Sequence, residues 1–439
     1  MIWLYRLLFP IGCLVGIPYY LMRMLRRGGY AEDFGHRLGL WPKLPEKSVN
    51  ARRIWIQAVS VGELLALGPL LKRLSEEGNI EIVLSTTTST GYRVARDRYS
   101  DLALAVGPFP LDFMPFSSRT WNRIKPDLAI LVDSELWPEH MHQARKREVP
   151  VIIVNGRISD RSLNRLGKAG CFRKLLVPPE LHVMACSVQE ADKWRQVGDL
   201  YERLETSGNL KFDCQPEEIL DDEAREDLLA EFGFISSSQE PRPLVLFGAS
   251  TWRGEEKALL QFIEENDPEG PPVRLVLAPR HAERGDELAG LLRNRPINWR
   301  RRSNGAETKG DDTQVYLADT TGELSRLIQV ADIVFVGKTL PPNQGGQNPV
   351  EAASSGIPVV FGPNTQNFSE MCRSLAETGA GIRVSDEEGL RRVLAGLVRD
   401  PEKRIAMGGA AHRWKEELEG ATHKTFDMLI HLLGNRSIH

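Results

Sequence analysis

From Ile54 onward the chain alternates short apolar runs, rich in Val, Ile and Leu, with longer stretches of helical periodicity. The first half carries Ile54–Gln57, Ile80–Ser85, Leu102–Val106, Leu128–Val132, Val151–Val154 and Val183–Cys186. The second carries Leu244–Phe247, Val273–Leu277, Gln314–Leu317, Ile333–Val336 and Pro358–Phe361. Continuous apolar strands separated by helices are what a parallel sheet covered on both faces requires. The runs fall into two groups across a polar stretch, Phe212–Pro243, which holds one predicted helix near Glu223–Phe232 and the tract SSSQEPRP. The pattern predicts an α/β protein of two doubly wound, Rossmann-like domains, residues 28–213 and 214–439, behind an N-terminal segment 1–27. The helical end, Glu387–Leu433, is expected to pack back across the junction. Ligands of such folds bind beyond the carboxyl ends of the strands, here in a cleft between the domains, so the chemistry is expected in the loops that follow them.

The N-terminus breaks the pattern. Ile2–Met22 carries one charge, Arg6. As a helix it would run about 31 Å, enough to cross a hydrocarbon core. Arg23, Arg26 and Arg27 follow, nothing acidic comes before Glu32, and Trp3, Tyr5, Tyr19 and Tyr20 flank its ends. Aromatic rings favour the interface and basic flanks the cytoplasmic side. These features predict a membrane anchor, spanning or lying in the interface, with the enzyme on the cytoplasmic face. A signal peptide would place its charges before the apolar run. A buried helix, which Pro10, Pro18 and Arg6 suit, is the alternative.

Composition adds exclusions. A net charge of −3 gives no basic excess for nucleic acid. The five cysteines, Cys13, Cys171, Cys186, Cys214 and Cys372, form no C-x-x-C pair, which fits a reducing compartment and no structural zinc. No Walker A or G-x-G-x-x-G string occurs, which disfavours a P-loop enzyme or an ordinary dehydrogenase.

Several loops carry candidate chemistry. Gln57–Glu63 reads strand, glycine turn, helix, and Glu63 at a helix start suits either a general base or a partner of the helix dipole. Ser85–Gly91 is a hydroxyl-rich turn that suits phosphate, sugar hydroxyls or plain capping. Asp133 and Glu135 form an Asp-x-Glu pair able to hold a divalent cation, although no further cluster completes such a site. Arg157, Arg161, Arg165 and Lys168 recur at helical spacing, as a solvated face or as a basic stripe for anionic lipid. Lys211 lies at the junction, where a leaving phosphate would need a cation. The second half supplies Gly248–Glu256, Pro279-Arg280-His281, Thr321-Gly322-Glu323 and Gly345–Glu351. There Pro349 just inside a helix, with glycines ahead of it, predicts free N–H groups for a nucleotide phosphate, and Glu351 can take ribose hydroxyls.

In this order the strings SVGE, ELWP, NGRISDRS, GNLKFD, PRH, GE-L and GGQNP-E resemble the Kdo transferases. These are GT-B-fold glycosyltransferases that place 3-deoxy-D-manno-octulosonic acid (Kdo) on a lipid A precursor. The resemblance runs from the N-terminal segment to about Phe368 and includes Gly35–Gly39. It implies inverting, metal-independent transfer from CMP-Kdo at the inner membrane, in lipopolysaccharide biosynthesis, with membrane lipids as further partners and no nucleic acid. It further implies that Glu63 is the base that deprotonates the acceptor hydroxyl, and that Asp133 and Lys211 stabilise the transition state. CMP would be contacted by Pro279, Arg280, Thr321, Gly322, Glu323, Asn348, Pro349, Val350 and Glu351. The sequence departs from the family pattern at three places. Asp133 replaces a glutamate, Trp252 a frequent histidine, and Lys338, within Val336–Thr339, part of a double glycine. A GT-B enzyme for another sugar nucleotide, and a catalytically dead membrane scaffold, are the competing readings. The presence of Glu63, Lys211, Arg280 and Glu351 disfavours the scaffold.

Overall fold

The structure, a computed structural model, describes the chain apart from residues 27–32, 49, 171–172, 179, 199, 201–202, 215–218, 235–241, 266–269, 304–307, 310–311 and 435–439. Side chains of residues 13–15, 17–21, 23–26 and 308–309 are likewise outside it. The basic flank Arg23, Arg26 and Arg27, the ring pair Tyr19 and Tyr20, Glu32, Cys13, Cys171 and most of the SSSQEPRP tract therefore lie outside the described residues.

The chain forms two compact units. One comprises Met1–Cys214 with Leu418–His439, the other Gln215–Glu417. The first is built on a seven-stranded, all-parallel sheet of order β3-β2-β1-β4-β5-β6-β7. Its strands are β1 Arg52–Ala58, β2 Ile80–Thr86, β3 Ala105–Pro108, β4 Leu128–Val132, β5 Val151–Gly156, β6 Leu181–Ala185 and β7 Leu204–Thr206. The order reverses between β1 and β4, so loops leaving those two strands diverge and open a crevice. Burial on both sheet faces explains the unbroken apolar runs. Ile54, Ile56, Ile130 and Val132 pack under the helix Gly68–Glu76 in one cluster, and Trp55, Ala129, Leu131 and Ile153 lie in another. The C-terminal helix Ala421–Gly434 returns to this unit, burying Phe426, Leu429 and Leu433 beside Leu70 and Leu71. The carboxylate of Asp213 holds its start, accepting from the N–H of Gly420 (2.8 Å) and of Thr422.

The second unit has eight strands in the order β11-β10-β12-β9-β8-β13-β14-β15. They are β8 Leu244–Thr251, β9 Val273–Pro279, β10 Trp299–Arg301, β11 Thr308–Lys309, β12 Val315–Leu317, β13 Ile333–Val336, β14 Val359–Phe361 and β15 Gly381–Arg383. All pairs are parallel except β10 with β11. Here the order reverses between β8 and β13. The end of the chain forms three helices, Glu387–Arg399, Pro401–Leu418 and Ala421–Gly434, interrupted at Pro401 and Gly420.

The N-terminal segment is a helix, Ile2–Arg26. Among the described residues no helix is long and apolar enough to cross a membrane, so the spanning form of the expected anchor finds no support. Arg6, which a spanning helix would carry into lipid, is instead held by the first unit. Its Nε and Nη2 each donate to the Glu139 carboxylate at 2.9 Å, and Glu139 is fully buried. Tyr5 donates to Asp112 Oδ2 at 2.6 Å, and Phe9 stacks on Phe113 with ring centres 5.6 Å apart. Asp112 in turn accepts from the N–H groups of Glu139 (3.2 Å) and His140 (2.9 Å). Trp3, Leu4, Leu7, Leu8 and Ile11 face outward, exposed. Removing one partner of a buried ion pair leaves an uncompensated charge and costs about 3–5 kcal/mol, whereas replacing both by apolar groups is often neutral. Arg6→Met is therefore expected to lower the stability of the first unit by about 3 kcal/mol in urea unfolding of the full chain, and the double variant Arg6→Met/Glu139→Met to recover most of that. Equal stability of the single variant and the parent would remove the ion pair as the helix's anchor.

Candidate functional site

At the reversal of the first sheet, β1 ends at Ala58 and the chain turns into the short helix Val61–Ala66. Ser60 caps it, its Oγ accepting from the N–H of Glu63 at 3.4 Å. The Glu63 carboxylate reaches back, accepting from the N–H of Val59 (2.7 Å) and from the Ser60 hydroxyl (2.8 Å). This reciprocal capping box fixes the carboxylate in place. Burial, and then the charge of Asp133, push the Glu63 carboxyl above the usual range, against the Val59 and Ser60 hydrogen bonds and Lys211. A carboxylate with raised proton affinity is a stronger base.

Across the reversal, β4 hands the chain to Asp133 in a left-handed conformation, φ 61°. Main-chain bonds lock that turn onto the next strand. The Asp133 N–H donates to Val154 O (3.1 Å), and its carbonyl accepts from the N–H of Arg157 (3.2 Å). Asn155, itself at φ 54°, donates from Nδ2 to Asp133 Oδ1 (2.8 Å) and accepts at Oδ1 from the N–H of Leu210 (3.2 Å). One amide thus ties the acid to the turn that carries Lys211. Burial raises the Asp133 carboxyl, opposed by Arg157, Asn155 and Lys211. Burial, and then Arg157, lower Lys211, while Asp133 and Glu63 hold it up. Glu63, Asp133 and Lys211, drawn from three separate loops, share one electrostatic neighbourhood.

Glu135 belongs to it as well. Burial, followed by the charge of Glu63, lifts its carboxyl to about 7. The acidic pair read as a possible cation site has no partner set, for among the described residues no group of three or more His, Cys, Asp or Glu is placed to hold a metal. Arg157 leaves the basic stripe expected of it. It sits half-buried in the turn after β5 beside Asp133 and Cys186, whereas Arg161, Arg165 and Lys168 lie exposed on the helix Asp160–Lys168. The hydroxyl-rich turn after β2 is largely engaged in structure. Thr88 Oγ1 caps the next helix by accepting from the N–H of Gly91 (3.1 Å), and Thr87 Oγ1 accepts from Gln57 Nε2 (2.8 Å). The sequence did not single out Glu190, whose Oε2 accepts from the N–H of Ile158 at 2.6 Å and steadies the Arg157 turn. Its signal was the string Ser187-Val-Gln-Glu190, in which Ser187 caps the helix by accepting from the N–H of Glu190.

In the second unit the strand-end loops converge at the β8/β13 reversal. Arg280 follows β9, its N–H donating to Thr251 O (3.2 Å). Burial raises the Glu351 carboxyl, against an Asn348 hydrogen bond and the charge of Arg280, so these three lie together. Pro279 is buried at the strand end, and Val350 opens a helix of five residues, its N–H held by Asn348 Oδ1 at 3.2 Å. The expectation of free glycine N–H groups fails. Gly345 N–H donates to Gln366 Oε1 (2.8 Å) and Gly346 N–H to Lys338 O (3.0 Å), because the loop uses them to brace itself. Glu323 is also engaged. Arg302 grips it through Nε (2.8 Å) and Nη2 (2.6 Å), and the Thr320 hydroxyl bonds it, so the carboxylate is lowered and anchors the turn. Thr321 and Gly322 stand exposed beside it.

The organiser of this end is Glu255. Its buried carboxylate accepts four main-chain N–H groups, from Trp252 (2.9 Å), Lys338 (2.7 Å), Thr339 (2.8 Å) and Leu340 (3.0 Å). It thereby stitches the loop after β8 to the loop after β13. Gly337 is required where those loops touch, since a Cβ there would lie 2.3 Å from Ser250 O.

Residues 32–214 match the family model of 3-deoxy-D-manno-octulosonic-acid transferases. The 3-deoxy-D-manno-octulosonic acid transferase of Haemophilus influenzae is 31% identical over 427 residues, covering 95% of this chain and 94% of that protein. The transferase of the same name from Bordetella pertussis is 32% identical, covering 88% of each. Among solved structures, UDP-GlcNAc 2-epimerase from Neisseria meningitidis bound to UDP-GlcNAc aligns over 86% of this chain and 99% of its own with a TM-score of 0.59. At 14% identity that likeness bears on the fold alone, two parallel-sheet α/β units of GT-B-like build. With near-complete coverage at these identities, the chain belongs to the Kdo transferase family of glycosyltransferases.

Proposed function

We propose that the chain transfers Kdo from CMP-Kdo to a lipid A precursor, with inversion, in lipopolysaccharide biosynthesis. The observation that carries this reading is the meeting of Glu63, Asp133 and Lys211 at the reversal of the first sheet. Glu63 takes the proton of an acceptor hydroxyl as its oxygen attacks the anomeric carbon. The bond from that carbon to the phosphate oxygen breaks, and CMP leaves. Lys211, with Asp133 orienting it, stabilises the charge that develops. The donor is held on the second unit by Pro279, Arg280, Thr321 to Glu323 and Asn348 to Glu351, where Arg280, Asn348 and Glu351 already stand together. No step needs a metal ion.

The acceptor's fatty acyl chains make a membrane surface the natural workplace. The helix Ile2–Arg26 presents Trp3, Leu4, Leu7, Leu8 and Ile11 outward, a stripe suited to lying in the interface of the inner membrane on its cytoplasmic side. Changing Leu7 and Leu8 to Glu is expected to reduce sedimentation with anionic vesicles at least fivefold, while transfer to a detergent-dispersed acceptor persists. Unchanged sedimentation would discard this helix as the contact.

Glu63→Gln is expected to lower turnover by 10² or more, with CMP-Kdo binding retained, in an assay containing EDTA in which the parent stays active. Near-parental turnover in that assay would eliminate Glu63 as base. The pH dependence has a definite sign. Glu63 must be ionised to act, so the rate falls on the acid side through a midpoint raised above the ordinary glutamate value. Lys211 favours the ionised form, so Lys211→Met should move that limb to higher pH besides lowering the maximal rate. A limb that stays put or shifts downward in the pH–rate profile would contradict the coupling.

A further inference from the structure

Two of the sequence's departures from the family pattern, Trp252 and Lys338, meet in space. Lys338 Nζ stands 4.6 Å from the centre of the Trp252 ring, and His281 packs against the same indole edge-on at 5.4 Å. Lys338 leaves β13 and Trp252 leaves β8, the two strands between which the sheet order reverses. Ligands of doubly wound sheets bind at such a point. We propose that Lys338, carried on the face of Trp252, is an anion-binding residue of the donor site that takes an anionic oxygen of the sugar nucleotide.

The backbone singles this lysine out. It adopts φ 60°, a conformation that glycine enters freely and a side chain resists, so placing a lysine there costs stability. The conformation is over-determined. Lys338 N–H donates to Glu255 Oε2 (2.7 Å), and its carbonyl accepts from Gly346 N–H (3.0 Å), which ties it to the loop of Asn348 and Glu351. Among the described residues the ammonium forms no ion pair, and it lies over the indole face. A cation over tryptophan is positioned while keeping its N–H donors for another partner. A plain surface lysine would need neither the strained backbone nor the aromatic seat.

The proposal rests on the CMP-Kdo reading above. Such a donor offers anionic oxygen from two sources, the nucleotide phosphate and the carboxylate of the ulosonic acid. Titration calorimetry on the full chain separates them. Lys338→Met keeps an aliphatic stem for Trp252 and removes the charge, and Lys338→Gly restores the residue that this φ favours. Both are expected to weaken CMP-Kdo about tenfold or more and to flatten the salt dependence of binding. Lys338→Arg should stay within about threefold of the parent, because it keeps the charge. Lys338→Gly should melt no lower than the parent, so lost affinity cannot be assigned to misfolding. A matching loss for CMP alone assigns the contact to the phosphate, and unchanged CMP binding assigns it to the carboxylate. Binding of CMP-Kdo within twofold of the parent in both neutral variants overturns the proposal. A parent that binds no CMP-Kdo overturns the donor reading itself, and the role of Lys338 falls with it.

Discussion

Much of this molecule depends on how the backbone leaves its strands. Asp133, Asn155, Ser250 and Lys338 all adopt left-handed φ values of 53–61° at or just beyond the carboxyl ends of β4, β5, β8 and β13. For a residue with a Cβ this costs about 1–2 kcal/mol, somewhat less for Asp and Asn. It persists where surrounding bonds over-determine it. In the first unit those bonds come from Asn155, which spans Asp133 and Leu210. In the second they come from Glu255, with four N–H donors on one carboxylate. The sharp exits keep the functional side chains at the ends of the strands instead of letting them trail along the following helix.

The same compaction sets the electrostatics. Glu63, Asp133 and Glu135 are crowded into a partly desolvated space, and each is raised by burial first; an acidic neighbour adds to this next for Glu63 and Glu135, whereas Arg157 opposes it for Asp133. Lys211 and Arg157 offset this, but Lys211 is itself lowered by burial and by Arg157. None of these groups rests where its own solvation would leave it. Groups shifted in this way by burial and by charged neighbours concentrate at sites where protons are transferred.

The parallel sheets were legible because strands buried on both faces must be apolar throughout, and Ile54–Gln57 or Ile333–Val336 can be little else. The strands that escaped notice, β7, β10, β11 and β15, are two or three residues long. They lie at or beside the sheet edges and carry Glu205, Arg300, Lys309 or Arg383, so hydropathy has nothing to register. The start of β3 was misplaced for a related reason. Ser100–Leu102 is a turn of 3-10 helix, and an apolar residue there packs without pairing. In the site, Glu63 and Lys211 could be singled out by residue type and position. What the occupied residues do could not. That Gly345, Gly346 and Glu323 are engaged depends on Gln366, Lys338 and Arg302, residues 8 to 21 positions away, and no local string encodes such pairings.

The N-terminal helix shows the limit most clearly. As a bare sequence Ile2–Met22 reads like a spanning segment, and its one charge, Arg6, looks like a blemish. The structure gives that charge a role. Arg6 and Tyr5 lie on the face with Phe9 and dock on Glu139, Asp112 and Phe113, so over residues 3–11 the polar side chains point toward the protein and the exposed aliphatic ones away. An ordinary surface helix is amphipathic the other way round. The inversion is stable only if two conditions hold together. The inward charges must be fully paired, which the bidentate Arg6–Glu139 contact provides, and the outward leucines must find something other than water. A sequence average adds the two faces and loses the sign.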